Sequence, residues 1–362
     1  MYPHAVSVSN KLLVKLNALR ARITGNDMGG CYISTFRVIH FLKQYKPDIV
    51  HLHNVHANFV NFPLLCKYLA KKDIATVITL HDCWYFTGKC THYTANKCDN
   101  WKRGCGNCSH LESGIPSWFR DKTALLFSKK KSVLLNIPRL HIVGCSQWIV
   151  NEAKEVLPQA RFSVLHNGID TTKFCPTTTS LKERYNCQNC ELILGFANKW
   201  FNKSNLDLMH QLIQNLALNQ RLVLVGCNMK QINDLKHFQD KVICLPYSSS
   251  QNEICHIYNA CDIFVNMSQE DTLPTVCLEA QACGVSVLAK RKTGIPETVN
   301  PRYGKVLKNI VTTDIFSFLK EIINFDRKKV RECNRLFICE NFDKNSAYRK
   351  YIPIYEEMSR SI

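Results

Sequence analysis

Short apolar runs alternate with helical patterns along most of the chain, and this alternation limits the possible folds more than any other feature of the sequence. In the first half the runs lie at 48–53, 75–80, 140–144 and 162–166, and a helical pattern covers 62–71. Short apolar runs bounded by turn residues are typical of buried strands. Strands that alternate with helices form parallel sheets, because each crossover returns the chain to the same end of the sheet. The first half is therefore predicted to be an α/β domain.

A second series of the same kind follows a polar, turn-rich stretch. Its apolar runs lie at 192–196, 221–225, 242–245, 262–265 and 285–288, with helical patterns at 206–216 and 274–283. The sequence thus predicts two tandem Rossmann-like parallel-sheet domains, which bind ligands at the carboxyl ends of their strands. The boundaries that we predict are 1–170 for the first domain, 171–190 for a linker, 191–344 for the second domain, and 345–362 for a C-terminal helix that packs back toward the first domain.

The chain is strongly basic. Its 362 residues contain 47 Lys and Arg against 29 Asp and Glu, a formal net charge of +18 at pH 7. The excess is concentrated in residues 1–170, which hold 22 basic and 10 acidic side chains. Such a surface suits an acidic partner, which could be a nucleic acid, an anionic membrane or a phosphate-bearing substrate. The sequence contains no recognisable nucleic-acid-binding module, so it favours the last two.

Composition also bounds the class of protein and its compartment. Hydrophobic residues make up 46% of the chain, which is enough for two buried cores and excludes a disordered protein. The 19 cysteines are odd in number and follow no apolar leader, so we expect a reducing cytoplasm rather than a secreted disulfide framework. No apolar run reaches the roughly 18 residues that a membrane span needs.

The segment from Ser268 to Gly284 carries most of the predicted chemistry. It follows an apolar run and opens a helix, and Pro274 suits the first helical turn. The free amides at such a helix start attract anions together with the helix dipole, so a diphosphate would bind there. Asp271 and Glu279 are eight residues apart, and both could accept hydrogen bonds from sugar or ribose hydroxyls. The alternative is an acidic first turn of an ordinary amphipathic helix.

At this point the sequence resembles a known family. The stretch DTLPTVCLEAQACGVSVLAKRKTGIPE resembles the signature of retaining family-4 glycosyltransferases of the GT-B fold. Upstream, KPDIVHLHNVHANFVN, TLHDCWYFTGKC and VLHNGIDTTKF are similar to the subgroup that builds capsular, exopolysaccharide and lipopolysaccharide chains. The resemblance covers about residues 30–355. It implies a GT-B enzyme with a nucleotide-sugar donor, a retained anomeric configuration and no metal required for catalysis.

The resemblance also implies roles for individual residues. Glu279 would hold the ribose, Asp271 would hold the hexose hydroxyls, and His81 would lie near the reacting centre. Further contacts to the sugar and diphosphate would come from Glu270, Thr272, Leu273, Pro274 and Thr275. The acceptor hydroxyl would attack on the face that the leaving group vacates and pass its proton to the departing phosphate, so no covalent enzyme nucleophile is implied. For His81 the alternative is a structural histidine.

The chain departs from the family pattern at two places. The family has an Arg and a Lys, six residues apart, after the first strand of the second domain, where this chain has Asn198 and Ser204. Lys199 and Lys203 stand one residue away and could substitute as point charges for the leaving diphosphate. The family's opening strand and glycine-rich loop are also missing, since 28–31 follows no strand, so the sequence resembles an N-terminally truncated member. Both departures leave open a catalytically impaired homologue that only binds sugar nucleotides.

A cluster of cysteines lies between the second and third predicted strands. Its spacing, Cys90-x7-Cys98-x6-Cys105-x2-Cys108, could form a structural zinc site with four thiolates that orders a long loop. The alternatives are disulfides and simple packing of small apolar side chains. A stretch of lysines at 129–131 follows aromatic and leucine residues, which predicts a patch that rests on an anionic membrane, or else a solvated helix face.

The sequence therefore predicts a cytoplasmic hexosyltransferase in cell-surface polysaccharide biosynthesis. Its donor would be a UDP- or GDP-linked sugar, and its acceptor a lipid-linked glycan or lipopolysaccharide at the inner face of the cytoplasmic membrane, to which the enzyme would bind peripherally. No nucleic acid is expected as a partner. The alternatives are the impaired homologue and, from another class, a zinc-stabilised basic protein that binds nucleic acid or a protein partner.

Overall fold

A computed structural model of the protein describes residues 5–360. Residues 1–4 and 361–362, which the predicted domain boundaries include, lie outside the described residues. The chain divides into two compact units. The first extends to His166 and also includes the chain from Lys350 onward, and the second comprises Asn167–Arg349.

The first unit is built on a parallel sheet of four strands in the order β1-β2-β3-β4. The strands are β1 (Ile49–Leu52), β2 (Ala75–Leu80), β3 (Leu140–Gly144) and β4 (Arg161–Val164). Every residue of β2 and β3 is buried, as the uninterrupted apolar runs predict for strands covered on both faces. The four strands and their parallel pairing confirm the fold class for this half of the chain.

Five helices accompany these strands. They are α1 (Lys11–Thr24), α2 (Tyr32–Tyr45), α3 (Phe62–Lys71), α4 (Thr123–Leu135) and α5 (Gln147–Val156). Three of them start at a polar residue whose side chain accepts an amide hydrogen bond, namely Asn10, Asn61 and Ser146. The loop between β2 and α4 contains two short 3₁₀ turns, Trp84–Phe86 and Asn100–Arg103, which bury Trp84 and Trp101.

The second unit is built on a parallel sheet of six strands in the order β10-β9-β8-β5-β6-β7. Its strands are β5 (Glu191–Phe196), β6 (Gln220–Val225), β7 (Val242–Leu245), β8 (Ile263–Asn266), β9 (Ser286–Lys290) and β10 (Lys305–Leu307). Five of these strands confirm predicted runs. The edge strand β10 was not predicted, because its three half-buried residues form no apolar run.

Nine helices belong to the second unit. They are α6 (Leu181–Arg184), α7 (Ala197–Trp200), α8 (Leu206–Asn215), α9 (Met229–Asp234), α10 (Gln251–Ala260), α11 (Thr275–Ala282), α12 (Thr312–Asn324), α13 (Arg327–Phe342) and α14 (Lys344–Arg349). Helices α8 and α12 share one buried cluster with the sheet, and α10, α11 and α13 share the other. The sheet therefore has a helical layer on each face, as the doubly wound architecture requires.

The structure places two segments differently from their predicted boundaries. Within the predicted linker, Phe174, Leu181 and Cys187 are buried in the core of the second unit, and the compact units divide earlier, after His166. The single C-terminal helix is wrong: the chain forms α14 and then, after a turn, α15 (Ile352–Arg360). Pro353 lacks the amide that would continue the helical ladder across the break.

Helix α15 belongs to the first unit. Tyr351, Ile354 and Met358 are buried in one cluster with Ala75 and Val77 of β2. Their spacing along the chain places the three side chains on one face of the segment, which explains the helical pattern that the sequence shows there.

Candidate functional site

The loop after β8 leads into α11 at the carboxyl edge of the second sheet. The helix begins at Thr275, so Pro274 is its N-cap rather than part of its first turn, and no side chain caps it. The Asp271 carboxylate accepts a hydrogen bond from the Leu273 amide at 3.1 Å. The Asp271 amide donates to Thr293 Oγ1 at 2.9 Å, so the loops after β8 and β9 are tied together. These hydrogen bonds therefore fix the predicted donor loop where it enters α11.

Glu279 lies one turn inside α11, four residues beyond Thr275. The Tyr258 hydroxyl donates to Glu279 Oε2 at 3.2 Å and to the Val276 carbonyl at 3.2 Å. Burial raises the pKa of Glu279, while hydrogen bonds from Tyr258 and Thr275 act in the opposite direction. A carboxylate held in this way can accept hydroxyl hydrogen bonds from a ligand at the start of α11.

The cationic segment after β5 is mostly solvent-exposed. Lys199 is half-buried on α7, while Lys203 is exposed, and so are Asn198 and Ser204. The Ser204 hydroxyl accepts a hydrogen bond from Gln269 Nε2 at 3.0 Å, which joins this segment to the loop after β8. The predicted donor-binding residues of the second unit are thus carried by neighbouring loops at one sheet edge.

Gly195 and Trp200 explain how the chain turns from β5 into this segment. A Cβ atom on Gly195 would lie 2.0 Å from Trp200 Nε1, so only glycine allows the indole to pack there. Trp200 is fully buried, and this contact anchors the end of α7 against β5.

His81 follows β2 directly, at the carboxyl edge of the first sheet. Its Nε2 and His53 Nδ1 are 2.8 Å apart, so the two rings share one hydrogen-bonding proton. The neighbouring His51 bonds the Tyr355 hydroxyl at 2.7 Å and the Thr79 hydroxyl at 2.8 Å. Burial lowers the pKa of all three histidines, that of His51 to about 3. These rings are therefore neutral at pH 7 and act as hydrogen-bonding groups rather than cations.

Sequence reasoning missed some residues at both sheet edges. His53 and His51 were not singled out, although two histidines at alternate positions around the end of one predicted strand, with His81 directly after the next strand, were a usable signal. Lys290 was also missed. It ends β9 and is buried, and a lysine directly after an apolar run is the signal that would have identified it.

The four predicted zinc ligands lie around one small cavity in the first unit. Cys90, Cys98, Cys105 and Cys108 all line it, and its volume is about 20 Å³. The Gly88 amide donates to Cys105 Sγ at 3.2 Å. As the side chains stand between residues 5 and 360, however, no three or more Cys, His, Asp or Glu are grouped so that they could hold a metal ion. The cysteines are all unbridged thiols.

The predicted basic patch on α4 is partly wrong. Lys130 is buried, donates to the Trp84 carbonyl at 2.5 Å, and lies over the Trp84 ring at 4.1 Å. Exposed apolar side chains nevertheless lie close by in the chain: Phe119 is 74% exposed and Leu125 is 60% exposed.

Helix α1 carries a comparable exposed face. Its apolar stripe consists of Leu12, Leu16, Leu19 and Ile23, all of them exposed. Arg22 lies over the Trp118 ring at 5.8 Å, and its carbonyl accepts a hydrogen bond from the Trp118 amide at 2.8 Å, so the end of α1 lies beside Trp118. No helix within residues 5–360 has both the length and the apolar character that crossing a bilayer requires.

Two family models match adjacent parts of the chain. Residues 21–173 match the model described as Glycosyltransferase Family 4, and residues 179–325 match the model described as Glycosyl transferases group 1. The two matches together cover most of both units.

Similar proteins agree with these matches. The glycosyl transferase WcaC of Escherichia coli, assigned to colanic acid biosynthesis, is 22% identical over 84% of this chain and 75% of its own length. An Escherichia coli UDP-Gal:α-D-GlcNAc-diphosphoundecaprenol α-1,3-galactosyltransferase is 26% identical over 76% of each chain. Among solved structures, Anabaena HepE in complex with UDP has a TM-score of 0.61 at 14% identity, over 90% of this chain and 82% of HepE. The structural likeness bears on the fold.

Glu279 makes the stability of the second unit depend on pH. Its pKa is raised in the folded state, so the folded protein binds more protons than the unfolded chain at pH values between the unfolded and the folded pKa. The free energy of unfolding therefore falls as pH rises through this interval. We expect Glu279→Gln to stabilise the unit more at pH 7 than at pH 4. Hydrogen exchange of the buried β8 amides measures this locally, with Glu321→Gln at an exposed position as the control. An equal effect of Glu279→Gln at both pH values would contradict the prediction.

Proposed function

The chain is a glycosyltransferase of the GT-B fold, and we propose that it transfers a hexose from a nucleoside-diphosphate sugar to a hydroxyl of a membrane-anchored glycan, with retention of the anomeric configuration. The observation that carries the proposal is the loop after β8, which leads into the uncapped start of α11 with Asp271 before the helix and Glu279 one turn inside it. This arrangement offers backbone amides to a diphosphate and two acids to hydroxyl groups.

The donor would bind along the start of α11. The amides near Thr272 to Thr275 would meet the diphosphate, Glu279 would accept hydrogen bonds from the ribose, and Asp271 would accept them from the hexose. Glu270 lies beside Asp271 and would face the same sugar. A UDP sugar is favoured first, because the similar galactosyltransferase is named for UDP-Gal and the similar HepE structure contains UDP. GDP sugars are the second choice.

Transfer would depend on positioning and on charge stabilisation rather than on a covalent enzyme intermediate. The acceptor hydroxyl would attack the anomeric carbon as the nucleoside diphosphate leaves, and its proton would pass to the departing phosphate. His81 is neutral, so it would orient a hydroxyl by hydrogen bonding without repelling positive charge at the anomeric carbon. By the family resemblance, no metal ion takes part in this step.

The acceptor would be a lipid-linked glycan or lipopolysaccharide presented at a cytoplasmic membrane surface. The similar galactosyltransferase is named for a diphosphoundecaprenol-linked acceptor. The exposed stripe of α1 with Trp118 and Phe119, in the more basic half of the chain, has the amphipathic character that binds an anionic interface. The catalytically impaired alternative would bind the donor without transferring sugar, and the nucleic-acid alternative is not favoured.

Binding to an anionic membrane can be measured with vesicles. We expect sedimentation with phosphatidylglycerol vesicles and much less with phosphatidylcholine vesicles, because basic residues dominate the first unit. Phe119→Ala should weaken binding several-fold, since it removes an apolar side chain that would insert into the interface. The control is Tyr247→Ala, at a position of similar exposure in the second unit. Equal binding to both lipids, or equal effects of the two variants, would argue against this surface.

We also propose that the four clustered cysteines bind a structural zinc ion. The zinc proposal is supported by the cavity that the four cysteines line, whose volume suits a single ion or water rather than a larger ligand. Two buried lysines, Lys89 and Lys130, lower the pKa of the Cys90 thiol by their charge, although burial outweighs them. A zinc ion with four thiolates carries two net negative charges, which these two lysines would balance. Binding would require the thiols to come closer together than they stand in the described structure.

Elemental analysis of the purified protein tests the zinc proposal. We expect about one zinc per chain, and Cys108→Ser should lower the metal content and the thermal stability of the first unit, because zinc binding stabilises a loop that it closes. Cys190→Ser is the matched control, since Cys190 is also half-buried and ends the other Cys-x2-Cys pair. Protein without stoichiometric zinc after growth in zinc-supplemented medium would refute the proposal.

Glu279→Ala and His81→Ala test the enzyme itself. Donors are first identified by thermal stabilisation with UDP and GDP sugars, and transfer is then followed with a lipid-linked acceptor. We expect Glu279→Ala to abolish measurable transfer and His81→Ala to reduce kcat about 10²–10³-fold, as the loss of a stabilising transition-state contact does. Glu321→Ala is the exposed control. Wild-type rates in either site variant would remove that residue from the mechanism, and donor binding without transfer in the wild-type protein would favour the impaired homologue.

A further inference from the structure

Lys290 occupies a position in the second unit that the proposed roles leave unexplained. It is the last residue of β9, at the carboxyl edge of the sheet. Strand β9 lies beside β8, and β8 lies beside β5, with all three strands parallel. The loops that follow these strands therefore leave the sheet side by side, although they are far apart in sequence. One of them is the loop that carries Asp271.

The Asn205 side chain joins these loops and holds the Lys290 ammonium. Its Nδ2 group donates to the Lys199 carbonyl at 2.8 Å and to the Met267 carbonyl at 3.1 Å. Its Oδ1 accepts from Lys290 Nζ at 2.7 Å and from Gln269 Nε2 at 3.1 Å. All four hydrogen-bonding positions of the amide are used. The ammonium is thus fixed by a group whose own orientation is set by two neighbouring loops.

Lys290 is buried without a negative partner. The residue is 8% exposed, and the one charged neighbour that shifts its pKa among the described residues is Lys292, which is also positive. By contrast, Lys182 in the same unit pairs with Asp262 at 3.6 Å. Burial lowers the pKa of Lys290, and the charge of Lys292 adds to this effect. A buried ammonium bonded to one neutral oxygen is unfavourable by itself, and an anionic ligand would offset that penalty.

The positive charge of Lys290 lies near the segment in which this chain lacks the family's Arg and Lys. Where the resemblance expects an Arg and a Lys, the chain has Asn198 and Ser204, and both are exposed. The hydroxyl of Ser204 accepts from Gln269, and the same Gln269 amide donates to Asn205. The residue at the family's lysine position is therefore next to the amide that holds Lys290. Lys290 brings a positive charge to this neighbourhood from β9, in addition to those of Lys199 and Lys203 on the segment after β5.

We propose that Lys290 binds the diphosphate of the nucleotide sugar and neutralises its charge as it leaves, in place of the family's missing cations. This inference rests on the proposed function. In the step itself, the bond between the anomeric carbon and the diphosphate oxygen breaks, and a bond from that carbon to the acceptor oxygen forms. The acceptor proton passes to the departing phosphate. Lys290 stays protonated and donates hydrogen bonds to the phosphate oxygens.

The experiment compares diphosphate binding with nucleoside binding in folded variants. Dissociation constants for UDP and uridine, and for GDP and guanosine, are measured by calorimetry on the full chain. Lys290→Met should weaken binding of the preferred nucleoside diphosphate about 10- to 100-fold, as the loss of a charge-assisted hydrogen bond does, and leave nucleoside binding unchanged. Lys292→Met is the matched control, because it removes the same charge from an exposed side chain two residues away. It should have a much smaller effect.

A second variant keeps the test decisive if Lys290→Met alters packing. Ser204→Lys returns a cation to the family's position, and in the Lys290→Met background it should restore part of the lost diphosphate affinity and of kcat. Equal losses of UDP and uridine binding in Lys290→Met, or unchanged UDP and GDP binding, would overturn the role of Lys290 while leaving the proposed function intact. A wild-type protein that binds neither UDP nor GDP and transfers no sugar would instead overturn the proposed function.

Discussion

Three neighbouring parallel strands, β9, β8 and β5, determine where the functional groups of the second unit stand. Asn266 on β8 pairs with Ala289 on β9, and Phe264 on β8 pairs with Leu194 on β5. Because parallel strands end at the same edge, the segments that follow them meet whatever their separation in sequence. The uncapped start of α11, the segment after β5 and the end of β9 are consequences of this one ladder, and hydrogen bonds through Asn205 hold them in register.

The two sheet edges differ in how burial affects their titratable groups. At the first edge, burial lowers the pKa of His53 and of His81, which favours their neutral forms, and the two rings share a hydrogen bond. At the second edge, burial raises the pKa of Glu279 and lowers that of Lys290, so each charged form is disfavoured until a partner arrives. A ligand with hydroxyl groups and a diphosphate supplies hydroxyl donors to Glu279 and an anionic partner to Lys290. The match of Glu279 and Lys290 to the hydroxyl groups and diphosphate of the proposed donor is a more specific link than the net positive charge of the chain.

The sequence predicted the features that depend on local pattern. The buried runs became strands, 62–71 became α3, and the segment after Ser268 became a loop and a helix, because apolar periodicity and turn residues act over a few positions. It failed where distant residues decide the outcome. Lys130 looked like part of an exposed lysine run but is buried against Trp84, which comes from another part of the chain. The His53–His81 contact likewise depends on strand pairing that no short motif encodes.

The position of Lys290 changes how the departure from the family pattern should be interpreted. The two family positions on the segment after β5 suggest a weakened enzyme, since Asn198 and Ser204 carry no charge there and Lys199 and Lys203 stand one residue away. In a parallel sheet, however, a charge needed at the carboxyl edge can come from any adjacent strand, because all of them end at that edge. A lysine at the end of a buried strand, held by Asn205, loses less conformational freedom on binding than one on an exposed loop. On the proposal made for Lys290, the chain has moved its positive charge onto a more rigid element, and activity depends on Asn205 as much as on the lysine itself.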